Sequence, residues 1–200
     1  MLRLVTFIFL NTVAGLSTLP AGRMFHNCIL DKKKIWMLGG IQKPPGLNRT
    51  CSEDSTGEIS EGLWKYDTLK NNWQYEDVEF PKRRGSTMVS NDNFVYVQGG
   101  GVANVENPMY SIPFSDMWRY TKKNKMWIQI DTNNPPTYLH ESIITKDGYI
   151  YSLGGFDANG KSKFLYIFNG QTWYKENASP FMKNGIWGHS MTLVDERCIY

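Results

Sequence analysis

Residues Tyr138–Lys175 read YLHESIITKDGYIYSLGGFDANGKSKFLYIFNGQTWYK. The stretch predicts four short strands. Leu139–Thr145 runs through Lys146-Asp147-Gly148 into Tyr149–Leu153, which halts at Gly154-Gly155. A loop leads on to Phe164–Phe168, and a tight Asn169-Gly170 turn to Thr172–Lys175. Alternating β-branched and aromatic residues broken by Asp-Gly and Asn-Gly pairs signal hairpins. One sheet of about 40 residues cannot bury both its faces, so the stretch is expected to be one unit of an array.

Its landmarks recur along the chain. Double glycines stand at Gly39-Gly40, Gly99-Gly100 and Gly154-Gly155, each preceded three residues earlier by an aromatic: Trp36, Tyr96, Tyr151. Beyond each pair come Tyr66 and Trp73, Tyr120 and Trp127, Tyr166 and Trp173, seven residues apart each time. Upstream of the glycines by 13 or 14 residues lie His26, Ser86 and His140.

A strand ending in a double glycine, then a Tyr, then a Trp, resembles the kelch repeat, and the likeness covers about Arg23 to Tyr200. The resemblance implies an all-β fold, a kelch β-propeller. Three four-stranded blades are expected at residues 23–79, 82–132 and 137–177. A fourth begins at 184–200, where Ile186–Ser190 and Cys198-Ile199-Tyr200 match the first two strands. The next glycine pair would fall just past Tyr200, so the reading predicts an incomplete propeller, a piece of a longer ring. Propellers have about 4–8 blades, and the resemblance favours six or seven. The physics agrees with the family: radial repetition leaves short edges, and each blade covers its neighbour. Glycines allow close passage of the next blade, and the Tyr and Trp rings fill the wedge between blades.

The chain is 41% hydrophobic and 14% aromatic with a net charge of +3, a globular composition. No polybasic run argues for nucleic acid or acidic lipid. Met1–Ser17 stands apart: Arg3, the apolar run Leu4–Leu10, then small residues at Ala14, Gly15 and Ser17. That order is the layout of a secretory signal peptide; a buried strand is the competing reading. Asn48 and Asn177 open glycosylation sequons, which fits a secreted or cell-surface glycoprotein. Cys28, Cys51 and Cys198 allow one disulfide or none and lack metal-ligand spacing.

In an up-and-down sheet the connections after strands two and four share one face, those after one and three the other. The latter are short turns: Asp31–Lys34, Asn91–Asn93, Lys146–Gly148, Leu69–Asn72, Lys122–Lys125 and Asn169–Gln171. Their lysines read as solvated. The former vary, with 26, 20 and 11 residues from glycine pair to Tyr. The extra length lies in Ile41–Ser60 and Gly101–Phe114, the second unusually apolar. Val102, Val105, Met109, Tyr110, Ile112 and Phe114 are therefore the candidate binding loop, either displayed to a partner or folded down as a lid.

No phosphate loop, nucleophile elbow or metal-spaced cluster occurs, and no cofactor is expected. His26, His140 and His189 occupy one repeat position, which should separate them by a blade's width and disfavour a metal site. Asp67 and Asp116 read as ordinary sheet-edge residues. The expected function is a secreted or cell-surface, non-catalytic binding module for protein or glycan partners, with a membrane anchor allowed beyond Tyr200. The alternative is an extracellular carbohydrate-active or copper enzyme, as in galactose oxidase, whose ligands find no match in this sequence.

Overall fold

The computed structural model describes residues 19–42, 58–78, 80–107, 110–178 and 182–194, with the main chain of 197–199. The signal segment Met1–Ser17, Asn48, Cys51 and Met109 lie outside the described residues. The first unit comprises β1 (Arg23–Met24), β2 (Asn27–Asp31), β3 (Lys34–Leu38), β4 (Ile41–Gln42), β5 (Glu58–Ile59), β6 (Leu63–Asp67) and β7 (Asn72–Glu76). The second holds β8 (Thr87–Ser90), β9 (Phe94–Gln98), β10 (Gly101–Ala103), β11 (Ser111–Pro113), β12 (Met117–Thr121) and β13 (Met126–Ile130). The third holds β14 (Glu141–Ile144), β15 (Ile150–Leu153), β16 (Phe156–Asp157), β17 (Gly160–Lys161), β18 (Phe164–Phe168) and β19 (Trp173–Asn177). A last antiparallel pair, β20 (Thr192–Val194) and β21 (Arg197–Ile199), begins a fourth.

Each unit builds one antiparallel four-stranded sheet, in the orders β2-β3-β6-β7, β8-β9-β12-β13 and β14-β15-β18-β19. First strands touch in succession, β2 to β8, β8 to β14 and β14 to β20, so they form the inner edge of a radial array. Period-two alternation puts one side of each strand toward the next sheet. In β6, Leu63, Lys65 and Asp67 are buried while Trp64 and Tyr66 between them face the other way.

The cores accordingly lie between sheets. Trp36, Leu38 and Leu63 of the first pack on Met88, Val95, Val97 and Tyr120 of the second. Val89, Tyr96 and Met117 of the second pack on Ile150, Tyr166, Phe168 and Trp173 of the third. Leu153 and Ile143 meet Met191 of the fourth. The same ring contact recurs: Trp36 meets Tyr120 edge-on at 5.2 Å, and Tyr96 meets Phe168 at 6.4 Å. Lys65 is buried in the first interface, its ammonium 3.9 Å from the Trp36 ring centre and paired with Glu76. Desolvation there lowers its pKa against the opposing pull of Glu76.

The double glycines join neighbouring sheets through main-chain atoms. Gly40 N donates to Arg83 O at 3.0 Å, Gly100 N to Thr137 O at 2.8 Å and Gly155 N to Ile186 O at 2.8 Å. The preceding glycine of each pair sits at φ +63°, +56° and +67°, and a Cβ there would come closer than 3.0 Å to that same carbonyl oxygen. The sequence requirement is thus both conformational and steric.

Two details differ from the sequence reading. The ring equivalent to Tyr66 and Tyr120 in the third sheet is Phe168, not Tyr166. Tyr66 pairs across with Trp73 and Tyr120 with Trp127, but Trp173 faces Phe168, while Tyr166 faces Lys175. The third sheet lacks the last cross-strand pair, Asp67 with Asn72 in the first, so the matching seven-residue spacing is coincidental there. The Asn169-Gly170 connection is also no two-residue hairpin: Asn169–Thr172 forms a four-residue loop. Asn169 Oδ1 accepts from Gln171 N and Thr172 N at 3.0 and 2.9 Å, as Asp67 Oδ1 accepts from Leu69 N and Lys70 N. A short-range side-chain acceptor organises such a loop.

Candidate functional site

All three variable connections rise on one face. Past the glycine pairs the second strands continue into β4, β10 and β16, which pair respectively with β5, β11 and β17. The segments entering each sheet come in on this same face. β1 pairs with β4, Arg84 bridges Gly101, and Tyr138 bridges and stacks on Phe156 at 5.4 Å.

Gly101–Phe114 is therefore a hairpin and not an irregular loop, in the register Gly101↔Pro113, Val102↔Ile112, Ala103↔Ser111. Buried Arg84 pins it from below, donating from Nε to Ser111 Oγ and from Nη2 to the Tyr110 carbonyl, both at 2.9 Å. Asn104 Oδ1 accepts from Glu106 N at the tip. Of the candidate set, Val105 is 92% exposed, Tyr110 55% and Ile112 49%. Val102 and Phe114 are half-buried, Phe114 lying 5.0 Å from the Arg83 guanidinium. Of the described candidate side chains the hairpin displays three and keeps two as its footing.

Beneath it lies a buried ion pair that sequence reasoning missed. Arg83 is 1% exposed and reaches Asp116 with two hydrogen bonds of 2.7 and 2.6 Å, a third to Gly99 O at 2.8 Å and a fourth to Pro81 O at 3.1 Å. Asp116 also accepts from Trp118 Nε1 at 2.6 Å. Asp116 is thus no ordinary edge residue. A signal existed in the spacing: Arg23 and Arg83 both stand 16 residues before the first glycine of their unit, and both donate to its carbonyl. Arg83, Phe80, Gly62 and Leu38 line a cleft of about 420 Å³ between the first two units. On the opposite face Lys122 is likewise not simply solvated, since it bridges Asp31 of the first unit and the Asn91 carbonyl.

At the inner edge, the residue entering each first strand adopts φ near +60°: Phe25, Gly85, Leu139 and Gly188. Gly85 N donates to Phe25 O at 2.8 Å and Leu139 N to Gly85 O at 2.7 Å, linking the units around the axis. The next residues, His26, Ser86, His140 and His189, line one cavity of about 110 Å³ with Glu141. The His140 ring lies against Gly99 and the His189 ring against Gly154, the equivalent glycine of the next unit, so each ring occupies its own wedge. Among the described residues no group of three or more His, Cys, Asp or Glu is placed to hold a metal ion. His140 is 4% exposed with Nε2 3.2 Å from Thr87 Oγ1, which continues to Ser142 Oγ at 3.0 Å. Burial drives the His140 pKa down to about 3, with a smaller contribution from His189, and pushes the Glu141 carboxyl up to about 7. Burial also lowers the pKa of His26 and of His189.

Residues 10–200 match the KLHDC2/KLHL20/DRC7 Kelch-repeats domain. The chain belongs to the Kelch-repeat family. The match begins inside the Met1–Ser17 segment. Kelch domain-containing protein 1 of Mus musculus is 31% identical over 93 residues, 46% of this Kelch chain and 23% of that protein. Kelch domain-containing protein 10 homolog of Drosophila melanogaster is 24% identical over 159 residues, 69% of this chain and 24% of that protein. Kelch-like protein 40 of Xenopus laevis is 26% identical over 115 residues, 56% and 16% of the two chains. The matched stretch thus spans less than a quarter of each of these relatives. The solved structure of YjhT shares the fold with a TM-score of 0.63 and 19% identity, covering 88% of this chain and 57% of its own. Kelch repeats generally serve as protein-interaction modules.

Among the site residues, Asn177 is the exposed last residue of β19. Cys28 is exposed and has no disulfide partner among the described residues. No helix among the described residues is long and apolar enough to cross a membrane.

Proposed function

We propose that this Kelch-repeat chain is a non-catalytic binding module of a secreted or cell-surface protein, which takes protein or glycan partners on its long-loop face. The observation that carries the reading is the second-unit hairpin. It exposes Val105, Tyr110 and Ile112 together, and a buried guanidinium fixes it to the sheet below. Exposed apolar and aromatic side chains on a rigid support are what a partner surface needs, because little ordering entropy remains to be lost on binding. Trp187, 48% exposed and 5.6 Å from Phe156, adds a ring to the same face. The charged start, short apolar run and small residues of Met1–Ser17 support export, as do the two sequons.

The test is a double substitution, Tyr110→Ser with Ile112→Ser, in the full-length protein expressed by its own cells and cross-linked to its partners. Loss of the cross-linked species with an unchanged melting temperature is expected; retention of all of them refutes the assignment. Export has its own readout. Amino-terminal sequencing of protein from the medium or surface should begin after Gly15 or Ser17, and a cytosolic product retaining Met1 would reject it.

A further inference from the structure

The perimeter edge of the second sheet differs from the other two. β7, β13 and β19 each end their sheet, so one side of each strand has no strand beside it. Exposed edges invite pairing with another chain, and natural proteins guard them with charge or proline. β7 (NWQYE) carries Glu76, and β19 (WYKEN) carries Lys175 and Glu176. The β19 edge is closed further by Asn133, whose Oδ1 accepts from Trp173 N at 2.9 Å while its Nδ2 donates to Trp173 O at 3.3 Å. β13 (MWIQI) has neither charge nor proline. Its Met126 is 55% exposed and Gln129 is exposed. Among the described residues no hydrogen bond from outside its own sheet reaches the main chain of Trp127 or Gln129.

Which groups face outward follows from the register. Opposed residues of an antiparallel pair alternate between bonded and non-bonded positions. Lys125 N closes the turn on Thr121 O, and Lys122 N donates to Asn93 O, so Thr121 bonds toward β13 and Lys122 toward β9. The bonded pairs are then Thr121 with Met126, Arg119 with Ile128 and Met117 with Ile130. Trp127 and Gln129 accordingly turn their N–H and C=O away from the sheet. Such an edge is complementary to itself. A second copy laid antiparallel about a two-fold axis at Ile128 exchanges a pair of hydrogen bonds between Trp127 and Gln129 on either side of that axis. It sets Ile128 against its own counterpart and Met126 against Ile130, an apolar stripe of cross-strand pairs. The same register brings exposed Lys125 to exposed Asp131 of the second copy at both ends.

We propose that β13 pairs with β13 of a second copy of this chain, joining two four-stranded sheets edge to edge about a two-fold axis. The proposal is independent of the binding-module reading, because it uses none of the hairpin residues. Two strands of five residues cover less than the about 1,200 Å² of a stable interface, so the dimer is weak and forms as concentration rises.

Sedimentation of the full chain tests this. The average mass should rise from monomer toward dimer with concentration, and Tyr110→Ser with Ile112→Ser should leave that rise unchanged. Gln129→Pro removes an outward N–H that makes no bond within the chain, and two intermolecular bonds by symmetry. It should weaken self-association by about tenfold or more while the melting temperature barely moves. The register has its own readout. Two Ile128 residues opposed in a non-bonded pair stand about 4.5 Å apart at Cα, within disulfide reach. Ile128→Cys should therefore link to itself on mild oxidation, as peptide mapping would show. Met126→Cys should not, but should link to Ile130→Cys when the two variants are mixed. A mass that stays monomeric at every soluble concentration, or a dimer undiminished in Gln129→Pro, overturns the proposal. So does a Met126→Cys chain that links to itself as readily as Ile128→Cys.

Discussion

Alanine at Gly99 should be far more damaging than alanine at Gly170, although both glycines have positive φ. Gly99 sits at φ +56° under the second sheet's neighbour, and a new Cβ would meet the Thr137 carbonyl oxygen and His140 Cε1. The conformation itself costs an L-residue about 1–2 kcal/mol. The collision must then push Thr137 away, loosening its hydrogen bond from Gly100 N, worth about 1 kcal/mol, and straining the packed interface by about 1–3 kcal/mol. Together these give about 4 kcal/mol, or roughly 10 °C of melting temperature in a domain of this size. Gly170 sits at φ +96° with nothing within 4 Å of its Cβ position, so only the conformational cost of about 1–2 kcal/mol applies. Denaturant unfolding of the two variants, compared by midpoint and slope, separates strain from collision. If Gly99→Ala and Gly170→Ala agree within about 1 kcal/mol, the claim that these glycines exist to admit the neighbouring carbonyl is refuted.

Arg83→Met should destabilise by about 3–5 kcal/mol because it strands the Asp116 carboxylate. Adding Asp116→Asn should restore part of the loss, and strict additivity in that double-mutant cycle would contradict a coupled pair. The axial mouth should show two opposed pH dependences. His140 has a folded pKa of about 3 against 6.5, so its contribution to stability is lost as pH falls through that window. Glu141 has about 7 against 4.5, so the folded state holds the extra proton and stability declines as pH rises through 4.5–7. His26 and His189 share the sign of His140. Unfolding free energies measured from about pH 4 to pH 7 should therefore slope more steeply upward with pH in Glu141→Gln than in His140→Asn. Parallel profiles would contradict the assignment.

What could be read from the sequence was whatever the repeat enforces locally. The glycine pairs and the Trp residues of the fourth strands follow from steric rules that act within a few residues, and the structure places them as those rules require. Tyr166 misled because its spacing matched while the register did not: dropping one cross-strand pair near a turn moves the equivalent ring to Phe168. The Arg83–Asp116 pair joins residues 33 apart in sequence; the 16-residue spacing to the glycine pair marks Arg83, but nothing local marks Asp116 as its partner. Likewise the pinning of the hairpin by Arg84 depends on a bond across 27 residues. The histidines were visible as a repeat, but the burial of His140 depends on how closely its strand packs on Thr87 of the neighbouring unit.

The link from each second glycine to the next unit runs between peptide groups, so it is indifferent to the side chains around it. Units with connections as different in length as Ile41–Ser60 and Phe156–Ser162 are consequently held at one angular pitch. The rim can lengthen, shorten or change its chemistry from wedge to wedge while the hub keeps its geometry. Recognition and architecture are thereby uncoupled: such a disc can acquire a new ligand by exchanging a rim segment, with the coupling between its sectors left as it was.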